Sequence, residues 1–347
     1  MSAGPAASSP DSSIENFIAT LPKAELHLHL EGTVEPETLW QLAQRYRSPL
    51  VNGGREAVQK LYSTGEFSGF LQAFKTVCQH LRSPEDYELI TYRALARLAD
   101  QNVRYAEITI SAGVILWKGE DLCRSFEGVE TGYRRAQDEF GIRVKWIFDA
   151  VRQFGPEAAL AVVREAAPLQ DRGVVAFGIG GDERLAGPEL FRDVFACAAS
   201  EGLRLTAHAG ETAGPESVRD SLHILGVERI GHGLTAAQDP QLLDELAEKQ
   251  VPIEVCLTSN LRTGCLSALS QHPLRNYFDR GLALSLNTDD PALFGTDLNG
   301  EYLLAHREFG FTEEELTFLA RSSFRAAFLS QEERDFYLAA FGSLGRS

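Results

Sequence analysis

The sequence predicts an α/β fold in which eight parallel strands close into a (β/α)8 TIM barrel, with a helical insertion after strand 1 and helices at the C-terminus. Eight short apolar runs rich in β-branched residues occur along the 347 residues, and segments with helical spacing separate them. Strands that alternate with helices pair in parallel, and eight such units make a closed barrel. A doubly wound open sheet is disfavoured because no G-x-G-x-x-G or G-x-x-x-x-G-K loop follows the first strand.

The predicted strands are short, and each is followed by polar or small residues that mark its end. They cover Ala24–His29, Val103–Ile110, Arg143–Ala150, Val174–Gly180, Leu203–Ala207, Glu228–Gly231, Val251–Cys256 and Leu282–Asn287. Between them, Ala, Leu and Val recur at helical spacing behind a proline, which is favoured in the first turn of a helix. Helices are therefore predicted over Pro156–Leu169, Pro188–Ser200 and Pro240–Lys249.

Two segments exceed a minimal barrel. About seventy residues separate the first two strands, more than a loop and one helix require. Within them Phe67, Phe70 and Phe74 form one apolar helical stripe, which packs in the core or, if the insertion covers the barrel mouth, lines a binding pocket. Near the other end, Thr312–Glu315 and Ser330–Glu333 fit the capping-box pattern, which predicts helices that pack on the barrel.

The domain organisation follows from these patterns. Residues 1–13, Met1–Ser13, are small and polar, without a basic stretch or an apolar core, and are predicted to be a disordered N-terminal tail. Residues 14–347 are predicted to form a single barrel domain, because no linker composition interrupts them.

Composition excludes several classes of partner. The formal net charge of −16 disfavours binding to nucleic acid or to anionic lipid. No apolar stretch is long enough to span a membrane. The five cysteines are dispersed without a C-x-x-C pair, as expected of free thiols in a reducing compartment. We therefore expect a cytoplasmic protein that acts on a small molecule.

The first predicted strand carries two histidines. His27 and His29 are two residues apart, and strand side chains alternate, so both imidazoles lie on one face while Leu26 and Leu28 lie on the other. The leucines would meet the helices, which leaves the imidazoles inside the barrel. Two hydrogen-bonded core histidines are the alternative interpretation of this pattern alone.

Further polar residues lie where later strands end. His208 closes the fifth strand, Glu211 follows three residues later, His232 follows the sixth strand, and Asp289 and Asp290 follow the eighth. Barrel enzymes place catalytic groups at the C-terminal ends of their strands, so these side chains are expected to converge.

The chemistry of this set predicts a metal site. His27, His29, His208 and one of the two aspartates suit zinc or a similar divalent ion, with room for a water. Glu211 and His232 remain as acid and base groups. The adjacent Asp289 and Asp290 cannot face the same way if extended, so one can bind metal while the other faces substrate.

Five motifs, in this order and spacing, resemble the adenosine deaminase branch of the amidohydrolases. The resemblance runs from about Leu21 to Leu338 and is carried by Pro22-Lys23-Ala24-Glu25-Leu26-His27-Leu28-His29-Leu30-Glu31-Gly32, Gly180-Gly181-Asp182-Glu183, His208-Ala209-Gly210-Glu211, Arg229-Ile230-Gly231-His232-Gly233 and Leu286-Asn287-Thr288-Asp289-Asp290-Pro291. It implies zinc-dependent hydrolytic deamination of a 6-aminopurine nucleoside, of the adenosine-to-inosine type.

The resemblance also implies roles for individual residues. One Zn²⁺ ion per chain would be held by His27, His29, His208 and Asp289; a second is not expected, because no lysine follows the fourth strand. Glu211 would protonate N1 of the purine, and His232 would orient and deprotonate the water. Asp290 would contact N7, and the backbone of Gly181 would contact N3. The residues predicted to contact substrate are Gly181, Asp290, His29, Glu31, Phe67 and Phe70.

The substrate depends on Glu31. Animal-type adenosine deaminases commonly have Asp at this position, where it holds the ribose 5′-hydroxyl, and the longer Glu31 admits a different 5′ group. Adenosine is the first prediction, and 6-aminodeoxyfutalosine, a menaquinone-pathway nucleoside with a bulky 5′ extension, is the nearest alternative. Adenine follows, since members that act on free adenine also tend to have Glu here. The last alternative is a barrel that binds a nucleoside without catalysis. It ranks last because such a protein would be expected to lack a metal ligand or Glu211, and this sequence has all of them.

Overall fold

The structure, a computed structural model, describes residues 10–63 and 67–343. Eight strands form one sheet in sequence order, and every neighbouring pair is parallel. A backbone bridge between Leu28 and Asp289 brings the first and last strands together, so the predicted barrel is confirmed. The strands are β1 (Lys23–His29), β2 (Val103–Ile110), β3 (Arg143–Val151), β4 (Val174–Gly180), β5 (Arg204–Ala209), β6 (Arg229–His232), β7 (Ile253–Val255) and β8 (Leu284–Leu286).

Helices surround the barrel, and further helices precede its first strand and follow its last strand. Their bounds are α1 (Pro10–Thr20), α2 (Pro36–Arg45), α3 (Gly54–Leu61), α4 (Phe67–His80), α5 (Pro84–Asp100), α6 (Ala112–Trp117), α7 (Leu122–Phe140), α8 (Gly155–Ala166), α9 (Arg192–Ser200), α10 (Pro215–Asp220), α11 (Pro240–Lys249), α12 (Leu257–Arg262), α13 (Leu274–Asp279), α14 (Pro291–Phe294), α15 (Leu298–Phe309), α16 (Glu313–Ala326) and α17 (Gln331–Ala339). No helix in these described ranges is long and apolar enough to cross a membrane.

The predicted helix bounds hold where capping residues define them. The helix predicted over Pro240–Lys249 has these bounds, and Asp239 accepts hydrogen bonds from the first-turn amides. Both predicted capping boxes are present, at the starts of α16 and α17. The helix predicted over Pro156–Leu169 ends earlier, at Ala166, and continues as a 3₁₀ turn that contains Pro168, which has no amide hydrogen to donate.

The insertion after β1 covers the C-terminal end of the barrel. Its helix α4 places the ring of Phe74 edge-on to His29, with centroids 6.4 Å apart. The ring of Phe70 lies 4.9 Å from that of Phe294, which follows β8. The aromatic stripe therefore faces the mouth of the barrel. Phe67 begins α4, but its side chain lies outside the part of the chain that is described.

The chain ends pack on the side of the barrel. α16 contacts β1 and β8, the two strands that meet where the barrel closes, and α1 contacts α15. The expected tail, Met1–Ser13, falls largely outside the described residues, and α1 begins at Pro10 within it. Disorder of residues 1–9 stays a prediction.

Candidate metal centre and active site

Two histidines and one aspartate converge at the C-terminal end of the barrel. Nε2 of His27 lies 3.4 Å from Oδ1 of Asp289, and Nε2 of His29 lies 3.3 Å from the same oxygen. The ligand atoms of the three residues all lie within 4.8 Å of one another. All three residues are buried. The alternation of β1 thus brings both imidazoles to one point, as the sequence predicted.

The backbone around Asp289 is fixed by β1. Its amide donates to the carbonyl of His27, and its carbonyl accepts from the amide of His29. Asn287 adds to this junction, since its Oδ1 accepts from the amides of Leu26 and His27. Asp289 has a φ of +65°, an uncommon conformation for a residue other than glycine, and such strain clusters at functional sites. The junction between the first and last strands therefore sets the position of this carboxylate.

His208 and His232 lie beside this group on neighbouring strands. The ring of His208 is 4.5 Å from that of His27 and 5.3 Å from that of His29. His232 has a φ of +64°, and its Nε2 lies 3.2 Å from Nδ1 of His208. Arg152 donates to the carbonyl of His208 at 2.7 Å and so holds the end of β5. His27, His208 and His232 form a second possible ligand group, which shares His27 with the first.

Glu211 faces His232 across the site. Its Oε2 lies 3.6 Å from Nε2 of His232. Burial, together with the negative charge of Asp289, raises the pKa of Glu211 to about 8, so the carboxyl group holds its proton near neutral pH. Burial lowers the pKa of His232 to about 3, which keeps its imidazole neutral. The pair thus combines a proton donor with a neutral base.

Glu183 organises the turn that carries Glu211. Its buried carboxylate accepts from three consecutive backbone amides, those of Gly210, Glu211 and Thr212, at 2.8–3.0 Å. The hydroxyl of Ser217 also donates to it. These bonds satisfy amides that would otherwise be buried without partners. Glu183 belongs to one of the motifs in the sequence, but its role requires the fold.

We predict that Glu183→Ala lowers the free energy of unfolding by about 3 kcal/mol, because several buried donors lose a charged acceptor. Turnover should fall as well, since the turn that presents Glu211 loses its support. Urea denaturation and a steady-state assay measure the two effects. Glu201→Ala, at an exposed position just after α9, should be neutral in both. Equal stability of the two variants would contradict the role given to Glu183.

Glu31, Asp149 and Asp290 are among the other buried carboxyl groups that have an oxygen without a hydrogen-bond partner. Burial raises the pKa of each, and the charges of neighbouring carboxylates add to the shift for Asp149 and Asp290. Asp290 lies against Gly32, where a Cβ atom would come within 2.0 Å of its Oδ1, so this contact requires glycine. The other oxygen of Glu31, Oε1, accepts from the amide of Ser111 at 3.1 Å. These groups are suited to donate or accept hydrogen bonds to a polar ligand.

The structure places the remaining predicted residues around the same mouth. Gly181 follows β4 with a φ of +99°, next to Gln153. Asn260 and Ser259, on α12, were not assigned roles from the sequence. The amide nitrogen of Asn260 lies 3.1 Å from Nδ1 of His232, and the hydroxyl of Ser259 donates to Oδ2 of Asp289 at 2.7 Å. They orient the imidazole and leave Oδ1 of Asp289 facing His27 and His29.

The chemistry of the donor set fits a divalent metal ion. Nε2 of His27 and Oδ1 of Asp289 are both buried, and neither atom has a hydrogen-bond partner although they lie 3.4 Å apart. Nitrogen and oxygen donors without a cysteine suit a catalytic zinc ion better than a closed structural one. The free cysteines of the chain take no part in either ligand group.

Comparison with known proteins is consistent with this geometry. A family model described as adenosine deaminase matches residues 22–339, nearly the whole chain. The chain belongs to the adenosine deaminase family. Members of this family are hydrolytic deaminases, and this chain is accordingly an enzyme of that class with a metal-binding site.

The chain is similar to two relatives and to one solved structure that bear on its substrate and its metal. An aminodeoxyfutalosine deaminase of Streptomyces avermitilis is 41% identical over 318 residues, which cover 91% of this chain and 89% of the relative. An adenine deaminase of Streptomyces coelicolor is 38% identical, with 92% of this chain and 94% of the relative covered. A crystal structure of an amidohydrolase from Burkholderia ambifaria with bound Zn superposes with a TM-score of 0.88 at 29% identity, covering 97% of this chain and 93% of that one. The relatives support a substrate of the adenine type rather than adenosine in particular.

Proposed function

We propose that this chain is a zinc-dependent deaminase of aminodeoxyfutalosine or a closely similar 5′-extended 6-aminopurine nucleoside. The observation that carries the reaction is the convergence of His27, His29 and Asp289 beside the pair formed by Glu211 and His232. For the substrate, the support comes from the similarity to the Streptomyces avermitilis enzyme along nearly the full length of both chains. This choice replaces adenosine, the first prediction from the sequence, with its nearest alternative.

In this proposal one zinc ion is held by His27, His29, His208 and Asp289. When bound, zinc acts as a Lewis acid and activates water near neutral pH. His232 accepts the proton of the attacking water, since its imidazole is neutral and its Nε2 faces the site, 3.6 Å from Oε2 of Glu211. The chain thus supplies both the ligands and the base.

Glu211 supplies the acid. Its pKa of about 8 keeps the carboxyl group protonated at neutral pH, so it can donate that proton to N1 of the purine. Protonation at N1 draws electron density from the ring and makes C6 electrophilic. The attacking oxygen forms a bond to C6, and the C6–N6 bond then breaks as the amino group takes the proton held by His232 and leaves as ammonia. The oxygen becomes the 6-oxo group as it gives its remaining proton back to Glu211, and N1 keeps the proton that it received. Burial of the carboxyl group is the main cause that stabilises the protonated form of Glu211 before substrate binds.

Asp290 and Gly181 orient the purine in the proposal. Burial raises the pKa of Asp290 well above its usual range, so the protonated carboxyl group can donate a hydrogen bond to N7. The backbone of Gly181 contacts N3 from the other side of the ring. His29, Phe70 and Phe67 complete the predicted contacts, with the described ring of Phe70 near the mouth.

Glu31 selects the 5′ group. Burial raises its pKa, and its Oε2 has no partner, so the carboxyl group can form a hydrogen bond to a polar 5′ substituent. Free adenine is the second candidate substrate, favoured by the similarity to the Streptomyces coelicolor adenine deaminase. The two candidates differ in whether ribose and its 5′ group contribute binding energy.

The substrate assignment can be tested by ammonia release from aminodeoxyfutalosine, adenosine and adenine under the same conditions. We expect kcat/KM for aminodeoxyfutalosine to exceed that for adenosine by at least about tenfold, because the added group contributes contacts that adenosine lacks. Glu211→Gln serves as the control for contaminating deaminases. A preference for adenine would instead support the second candidate, and no release from any compound by the zinc-bound protein would contradict the proposed function.

A further inference from the structure

A buried ionic network lies beneath the candidate metal centre, and no step of the proposed reaction uses it. Arg229, at the start of β6, lies between Glu254 on β7 and Glu107 on β2. Its Nε donates to Oε1 of Glu254 at 2.6 Å, and its Nη1 donates to Glu107. Each of the three residues is at most 1% exposed. Buried charges of this kind are costly unless they are paired, so the network requires all three members.

The network ends on a candidate metal ligand. Oε2 of Glu254 lies 2.8 Å from Nδ1 of His27, while Nε2 of His27 points toward Asp289. A carboxylate at Nδ1 fixes the tautomer in which Nδ1 carries the hydrogen and the lone pair of Nε2 is free. The two oxygens of Glu254 are thus divided between Arg229 and His27.

The other end of the network is closed by the C-terminal helices. Oε1 of Glu107 accepts from the hydroxyl of Tyr105 at 2.8 Å and from the backbone amide of Phe328, in the segment between α16 and α17. The guanidinium of Arg229 lies 3.7 Å from the centre of the Phe328 ring and donates to the carbonyl of Ala326. This segment therefore shields the arginine and limits its movement.

We propose that Glu254 and Arg229 are positioning residues for metal binding. Arg229, fixed by Glu107 and Phe328, holds the carboxylate of Glu254, and Glu254 holds the imidazole of His27 in its ligand orientation. The C-terminal segment around Phe328 is the far support of this arrangement. The inference rests on the metal site of the proposed function. It differs from a purely structural role, in which the network would stabilise the fold without affecting the metal.

Glu254→Gln tests the proposal directly. The substitution keeps the shape of the side chain but removes the charge that fixes His27, so zinc affinity, measured by competition with a chelator, should fall about 10- to 100-fold. In the Co²⁺-substituted protein the d–d absorption bands should change, because the ligand field of one imidazole changes. Glu301→Gln is the matched control. Glu301 is also fully buried, but it accepts hydrogen bonds from the amide of Thr258 and the hydroxyl of Thr296, so the control should leave affinity and spectrum unaltered.

Arg229→Lys gives a second test that is less disruptive than removal of the cation, because a buried positive charge remains between Glu107 and Glu254. The lysine cannot reproduce the fork of the guanidinium, so zinc affinity should fall in the same direction. If Arg229 acts through Glu254, the double variant should bind zinc no more weakly than the weaker-binding single variant. Phe328→Leu should show the same change to a smaller extent.

The outcomes separate the two proposals. A wild-type protein that does not bind zinc would overturn the proposed function. Zinc binding by the wild type, together with unaltered affinity and an unaltered Co²⁺ spectrum in folded Glu254→Gln and Arg229→Lys, would overturn the positioning role alone. Additive effects in the double variant would show that Arg229 does not act through Glu254, and this result would also overturn the positioning role.

Discussion

Replacement of Glu211 by glutamine is expected to lower kcat by about a hundred- to ten-thousand-fold, the range that general acid catalysis contributes. Glutamine has nearly the same shape but has no carboxylic proton to give to N1 of the purine. Zinc content should be unchanged, because Glu211 is not among the proposed ligands. Steady-state kinetics and metal analysis of the same preparation measure the two quantities.

An exposed glutamate on the next helix provides the comparison for this variant. Glu216 lies on α10 and is exposed, so Glu216→Gln should retain the wild-type kcat. Turnover by Glu211→Gln within tenfold of the wild type would exclude Glu211 as the proton donor. Loss of zinc together with turnover would instead assign Glu211 to the metal site.

Replacement of Asp289 by alanine is expected to have a still larger effect, with turnover reduced to the background rate. Asp289 is the only carboxylate in the proposed ligand set, and its Oδ1 faces both His27 and His29. Zinc affinity should fall by more than about 100-fold. That is the upper range for loss of a residue that only holds a metal ligand in place. Chelator competition measures the affinity, and activity of the wild type after chelation and zinc return provides the reference.

Ser259→Ala serves as the control for Asp289. It removes the 2.7 Å hydrogen bond to Oδ2 but leaves Oδ1 and both histidines in place. A smaller decrease in zinc affinity is expected, of about tenfold. If Asp289→Ala bound zinc as tightly as Ser259→Ala, the carboxylate would not be a ligand, and the proposed set would have to be replaced by the alternative group of His27, His208 and His232.

The barrel itself was predictable because its signals are local. Alternating polar and apolar residues, prolines at helix starts and capping boxes act within a few residues, and each limits one element. The second and fourth strands, Val103–Ile110 and Val174–Gly180, have the predicted bounds. The last two strands are shorter than predicted, because the amides of Val251 and Leu282 donate to carbonyls of the preceding helices, those of Leu246 and Tyr277.

The convergence of the candidate site followed from the barrel rather than from any single motif. Once His27, His208, His232 and Asp289 are assigned to strand ends, the topology alone places them at one end of the barrel. The division between Asp289 and Asp290 was not set by their order. It depends on the bridge to Leu28 and on the positive φ of Asp289, which turn one carboxylate toward the histidines.

By itself, then, the sequence determined the barrel, the family and the residues at the strand ends, whereas the tertiary structure decided what supports them. The contact between His27 and Glu254 joins residues 227 positions apart, and the contact between Phe328 and Glu107 joins residues 221 apart. The position of α4 over the mouth of the barrel also depends on contacts between residues far apart in the sequence. Such pairs depend on the register of neighbouring strands and on how the last strand meets the first, and local propensity carries no information about either.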